Sequence, residues 1–224
     1  MASWMIHLRV AERVLALVQI PDAARFVLGN MAPDSGIPVE GGYEPSAAVS
    51  HFRAIDENGV KAVHEELYVQ RYLTPAQWAG YDPQARAFHL GYLSHLITDR
   101  LWSKKVVYPA KAQFESLFRE DNAAFWRMVK QDWYDMDFLF LRAHPDFRPW
   151  QIYCRLTDME NHYVDFYGKN AFADRRQWIV DFYREGADGV TAREMYLPQE
   201  TLDAFVEDAV KETLRALRQM MIVS

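Results

Sequence analysis

His95 and Asp99 stand four residues apart in Gly91-Tyr-Leu-Ser-His95-Leu-Ile-Thr-Asp99. On a helix, positions i and i+4 share a face, so this imidazole and carboxylate converge on one point. Leu96 and Ile97 between them are apolar. A His/Asp pair on a largely buried helix suits zinc or iron, although a core histidine satisfied by an aspartate has the same pattern. Four other signals are of the same chemical kind. Asp34 follows Pro33 in a Gly/Pro-rich stretch, where a turn aspartate is the simpler reading. His51 lies in Ser50-His51-Phe52. His7 shares a helical face with Ala11, Val14 and Val18 and therefore points inward. Asp132 and Asp135, just ahead of the apolar run Phe138–Leu141, suit pairing with arginines or completion of a metal site.

The composition narrows the function classes. Of 224 residues, 50% are hydrophobic and 14% aromatic, which excludes disordered and collagen-like chains. The formal net charge is −6, against the basic balance expected of a dedicated nucleic-acid binder, so nucleic acid is not an expected partner. The single cysteine, Cys154, allows neither an internal disulfide nor a cysteine-rich zinc finger and fits a reducing compartment. The uncharged stretch Ala87–Thr98 is too short and polar to span a membrane. Arg9, Glu12 and Arg13 interrupt the first twenty residues, unlike a signal peptide. The expectation is a soluble, cytoplasmic protein without a membrane span, with homo-oligomerisation left open.

Helical periodicity dominates. It predicts helices over Trp4–Gln19, Val60–Leu73, Pro83–Lys105, Asp121–Arg142, Pro149–Tyr167, Asp174–Glu185 and Pro198–Met221. Residues Arg25–Phe52, rich in Gly and Pro, read as one long irregular loop after the first helix, of the kind that carries function. No convincing series of alternating strands is present. The expected architecture is all-α, a single multi-helix domain over residues 1–224.

Taken in order, His7-Leu-Arg-Val-Ala-Glu-Arg, Pro33-Asp34, Ser50-His51-Phe52 and Gly91-Tyr-Leu-Ser-His95-Leu-Ile-Thr-Asp99 resemble the zinc-dependent phospholipase C family. The resemblance covers roughly the first half of the chain and implies an all-helical bundle around a zinc cluster. It implies His7, Asp34, His51, His95 and Asp99 as ligands, with Asp99 bridging two metals. Asp34, His51 and His95 would finish one site, and His7 would belong to the other. The chain departs from the family pattern in two places. Trp4 is internal, where secreted members begin the mature chain with a tryptophan that binds metal. No histidine follows Asp99 until His144, so the family's third metal site is expected to be absent. Asp135 is the candidate replacement carboxylate for the second metal.

The reading that follows is a metal-dependent phosphoester hydrolase with two zinc ions, iron or manganese being the alternatives. Its substrate would be a small phosphorylated molecule or a lipid head group. Asp34 and Asp99 are the catalytic candidates, with Asp34 as ligand, as base for water, or as both. Arg53, Arg100 and Lys104 are candidates to meet phosphate oxygens. Two other classes remain open: a di-iron oxygenase on the same ligands, and a non-enzymatic helical binding module with a structural metal. Asp158, His162 and Asp165 form a competing candidate site on the helix expected there. His64 reads as surface, His89 as structural and His144 as a helix end. The C-terminal half carries no interpretable motif and is expected, at most, to shape a pocket over the metals.

Overall fold

The computed structural model describes residues 1–55, 60–186 and 190–222. Helices make up most of it. The first helix, α1 (Trp4–Leu17), ends where Val18 turns extended ahead of Pro21. Next comes α2 (Ala23–Met31), whose N-cap Asp22 accepts a hydrogen bond from the Arg25 N–H at 2.9 Å. A 3₁₀ turn over Ala32–Asp34 follows, with Pro33 in its first turn.

Two small antiparallel hairpins come next. β1 (Ile37–Val39) pairs with β2 (Gly42–Glu44), with Pro38 opposite Tyr43. After the short helix α3 (Ala47–Ser50), β3 (Arg53–Ile55) pairs with β4 (Lys61–Val63). Then come α4 (Glu65–Tyr72) and α5 (Pro75–Gly80), the latter opened by a Thr74/Gln77 capping box. The central helix α6 (Pro83–Trp102) has Pro83 in its first turn and Asp82 accepting from the Ala85 N–H at 2.7 Å. It runs into a π-helical turn over Ser103–Val107, then α7 (Tyr108–Gln113) and α8 (Glu115–Glu120). The long α9 (Asn122–Ala143), α10 (Arg148–Arg155), α11 (Ala171–Glu185) and α12 (Gln199–Ile222) complete the chain.

Helix α6 is buried almost all round, from Ala87 to Trp102, as befits a central helix. Helices α1, α2, α4 and α12 pack around it. The α2–α6 crossing is the tightest, because a glycine from each helix meets the other's backbone. A Cβ on Gly29 would lie 1.9 Å from the Phe88 carbonyl oxygen, and one on Gly91 would lie 2.0 Å from the Phe26 carbonyl oxygen. Neither position admits a side chain without moving a helix.

The all-α expectation holds in its coarse form, and several elements differ from the sequence reading. Arg25–Phe52 is not one irregular loop. Asp22 caps a helix across its first residues, and glycines 29 and 91 hold that helix against the core, while Gly41 at φ 82 makes the turn of the first hairpin. The helix expected at Val60–Leu73 starts later, since Lys61–Val63 is spent pairing with β3. The helix expected at Pro149–Tyr167 stops at Arg155. Beyond it, Asn161 accepts from the N–H groups of Tyr163 and Val164 at 3.1 and 3.2 Å and donates to the Tyr167 carbonyl at 2.8 Å, folding the segment back as a loop.

The helix crossing yields a stability prediction. Gly91→Ala should lower Tm by about 5 °C or more, since overpacking against backbone costs roughly 1–3 kcal/mol. Gly80→Ala, whose Cβ would meet nothing within 4 Å, should leave Tm within about 1 °C. Equal melting of the two variants would contradict the tight crossing.

Candidate metal centre

Five of the residues singled out in the sequence meet at one place in the core. His7 comes from α1, Asp34 from the 3₁₀ turn after α2, His51 from the end of α3, and His95 and Asp99 from adjacent turns of α6. Ligand atoms of His7, Asp34 and His95 lie within 4.8 Å of one another, and so do those of His51, His95 and Asp99. His95 is common to both trios, which therefore cut across the partition implied by the family resemblance. His7, His95 and Asp99 are 0% exposed.

Each ring is oriented by a second contact. His95 Nδ1 lies 2.8 Å from the Asn30 carbonyl oxygen, a hydrogen bond that makes Nδ1 the donor and leaves Nε2 with a free lone pair. That Nε2 points to Asp99 Oδ2 at 3.6 Å. His51 Nδ1 meets the Ser50 hydroxyl at 2.9 Å, and its Nε2 meets Asp34 Oδ1 at 3.2 Å and Asp99 Oδ2 at 3.6 Å. His7 stacks on His95 with ring centroids 3.7 Å apart and planes 4° from parallel, and its Nε2 is 3.4 Å from Asp99 Oδ1. The Ala2 backbone N–H donates to the same oxygen at 2.7 Å.

Electrostatics puts most of these groups in the ligating protonation state. Burial, helped by neighbouring His95, pushes His7 down to about 4, so it is neutral at pH 7. Burial would raise Asp34, but the His51 hydrogen bond and the charge of His95 outweigh it and hold the carboxyl at about 2. Burial likewise opposes ionisation of Asp99. The Met1 ammonium and the close approach of the His7 and His95 rings prevail, and Asp99 stays well below the usual carboxylate range. His95 is the exception. Burial lowers its pKa, yet the adjacent Asp99 carboxylate raises it on balance, so a proton and a metal compete for its Nε2.

Among the described residues, four buried polar atoms here have no hydrogen-bond partner: both ring nitrogens of His7, His95 Nε2 and Asp99 Oδ2. Orphaned buried polar atoms are costly in a folded core. Three imidazoles and two carboxylates gathered in these two trios, with orphaned atoms on His7, His95 and Asp99, fit a nitrogen/oxygen site for zinc or iron, with manganese the less suited. The only cysteine, Cys154, is on α10 and belongs to neither trio.

Beside the cluster opens a cavity of about 510 Å³, reached through Asp34 and His51. Its walls include Trp4 of α1, Tyr43 of β2, Lys130 of α9, and Arg175 and Trp178 of α11. The C-terminal half thus builds part of the pocket wall. Arg175 was missed in the sequence because its neighbours are charged and the contacts that mark it out are all distant in the chain.

Other candidates lie elsewhere. Asp135 does not join the cluster: it is held by Gln131 Nε2 at 2.8 Å and by Arg193 Nε at 3.1 Å. Asp132 pairs with Arg193 at 3.2 Å and accepts from the Tyr196 N–H at 2.7 Å, tying down the chain before α12. Asp158, His162 and Asp165 share no helix face, because that segment is a loop. Asp158 pairs with Arg25, His162 with Glu160 at 3.3 Å, and Asp165 with Arg71 at 2.6 Å. Arg100 is engaged by Glu65 at 2.6 Å and does not line the cavity. Lys104 is exposed in the π-helical turn, also away from the cavity, while Arg53 is in its wall. His64 is half-buried and paired with Glu66 at 2.7 Å. His89 is buried and hydrogen-bonded to Tyr68 at 2.6 Å, and His144 caps α9.

Comparison of the chain with protein-family models, with curated proteins and with solved structures gives no match in any of the three. The candidate centre therefore rests on its own geometry. Among the described residues, no helix is long and apolar enough to cross a membrane.

Near the cluster, Asp137 is fully buried and accepts from the Ser3 hydroxyl at 2.8 Å and the Tyr183 hydroxyl at 2.6 Å. Burial outweighs these bonds and lifts its pKa to about 7. The folded state therefore holds a proton between about pH 4 and 7 that the unfolded chain has released, so stability falls as pH rises through this window. Asp137→Asn, a neutral mimic of the protonated acid, should melt higher than the parent at pH 8, with a clearly smaller gap at pH 5. An equal gap at both pH values would contradict the assignment.

Proposed function

We propose that the chain is a metal-dependent hydrolase of phosphoesters. The observation that carries this reading is the convergence of orphaned imidazole and carboxylate atoms beside a cavity wide enough for a small substrate. The cavity also favours it over a purely structural metal, which needs no opening. His7, Asp34, His51, His95 and Asp99 are the residues that would hold the ions, two of them by analogy with the resembled family. When bound, zinc supplies a Lewis acid for phosphoryl oxygens and makes a proton of water labile near neutral pH.

The chain's own residues then have distinct tasks. Asp99, anionic and buried between His7, His51 and His95, sets the charge of the centre. The Asn30 carbonyl fixes the tautomer of His95, and Ser50 orients His51. Asp34 lies at the cavity wall, where its carboxylate can accept a hydrogen bond from an attacking water and aim it. A carboxyl held at about 2 is a poor proton store, so orienting water suits Asp34 better than holding its proton. In the overall reaction a water oxygen bonds to phosphorus as the ester P–O bond breaks. One water proton stays on the phosphate product and the other ends on the leaving alcohol.

Zinc-loaded protein should hydrolyse p-nitrophenyl phosphate or bis(p-nitrophenyl) phosphate, and chelation should abolish turnover. His95→Ala should lower the rate by about 100-fold or more, and Asp34→Asn by about tenfold or more. Asp135→Asn should keep turnover, since Asp135 is paired with Arg193 instead. Turnover that survives both chelation and His95→Ala would overturn the proposal. Oxygen uptake by an iron-loaded form, without ester hydrolysis, would favour the oxygenase reading.

A further inference from the structure

Trp4, Tyr43 and Trp178 are turned toward one cation position in the cavity wall, and a side chain of the protein already fills it. The Arg175 guanidinium carbon is 4.3 Å from the Trp178 ring centroid, 5.5 Å from Trp4 and 5.6 Å from Tyr43. Arranged this way, aromatic faces attract cations, and open groups of them bind quaternary ammonium ligands. Here the attraction is used internally.

Arg175 is only 8% exposed. Its Nε donates to the Asp34 carbonyl oxygen at 3.1 Å, which ties it to the candidate metal centre. Among the described residues it makes no other hydrogen bond and no ion pair. A guanidinium this buried without a carboxylate is unusual, since buried charges are normally paired. Its remaining N–H groups form the planar fork that suits phosphate oxygens.

The rest of the wall has the same sign. Arg53 and Lys130 also line the cavity, and neither pairs with a carboxylate among the described residues. Asp34 is the one acid among the described lining residues. This local positive field stands against a whole-chain charge of −6.

We propose that Arg175 is a specificity-determining, phosphate-binding residue that sets the pocket for phosphoesters with a neutral or anionic organic portion and against those with a cationic one. The claim rests on the phosphoester reading above and narrows its substrate class. Arg175 occupies the place a quaternary ammonium would take, and with Arg53 and Lys130 it repels such a group. The same side chain offers its free N–H groups to the phosphate.

The test is a pair of ligands matched in shape: phosphocholine, and 3,3-dimethylbutyl phosphate, in which carbon replaces the charged nitrogen. Binding to the whole 224-residue chain, zinc-loaded, is measured by calorimetry, with metal content determined on the same samples. The neutral isostere should bind about fivefold or more tightly than phosphocholine. Arg175→Met should weaken the isostere about tenfold or more and shift the preference toward phosphocholine, because the three rings are then open to a cation. Arg175→Lys should retain the preference for the isostere. Vesicles of phosphatidylglycerol and of phosphatidylcholine repeat the comparison on lipid, and the tighter format tells a lipid headgroup from a free phosphoester.

Phosphocholine binding as tightly as the isostere, or an unchanged ratio in Arg175→Met, would overturn the inference. With a full metal complement, that result leaves the hydrolase reading standing. Preference for the isostere in a chain that takes up no metal sustains the inference and removes the hydrolase reading.

Discussion

The contact between the backbones of α2 and α6 at Gly29 and Gly91 is the constraint on which the site depends. Two helices can come this close only where each lacks a side chain, and here each glycine faces the other helix's carbonyl. One residue beyond Gly29, the Asn30 carbonyl receives His95 Nδ1. The same 3₁₀ turn that ends α2 carries Asp34 to the cluster. A wider crossing would take the Asn30 carbonyl away from His95, and with it the bond that fixes which ring nitrogen faces the centre. Packing and chemistry thus share one geometric requirement.

Around that crossing the fold maintains a charge distribution that water would otherwise have to satisfy. Asp99 is fully buried and ionised, an expensive state unless opposite charge or hydrogen bonds compensate it. One oxygen accepts from the Ala2 N–H, while the other has no hydrogen-bond partner. The ring nitrogens of His7 are likewise unpartnered. Such an arrangement is strained as a plain core and becomes coherent when cations supply the missing contacts. The aromatic residues serve this arrangement too. Trp4 begins α1, three residues from His7, and with Trp178 it packs against Arg175 in the cavity wall.

Much of this was legible in the sequence, for identifiable reasons. The long helices over Pro83–Trp102 and Asn122–Ala143 carry strong local signals, caps at Asp82 and Asp121 and sustained apolar runs. The five clustered residues stand in short motifs whose order and spacing carry the family resemblance. Helix α2 was hidden because its glycine reads as a loop residue until α6 is seen against it. Asp135 was misplaced because its partner Arg193 lies 58 residues away, and no local pattern shows which carboxylate an arginine will engage. Arg175 lacked a signal for the same reason: its ring contacts reach to residues 4 and 43.

The proposed chemistry requires that the cluster hold metal. Elemental analysis of untagged protein, purified without added metal and again after incubation with zinc, tests it most directly. On the proposed function we expect about two zinc equivalents per chain, the metal and the number taken from the resembled family, lost in His95→Ala while the variant still folds. A chain that carries no metal as purified and takes up none on addition would contradict the central claim.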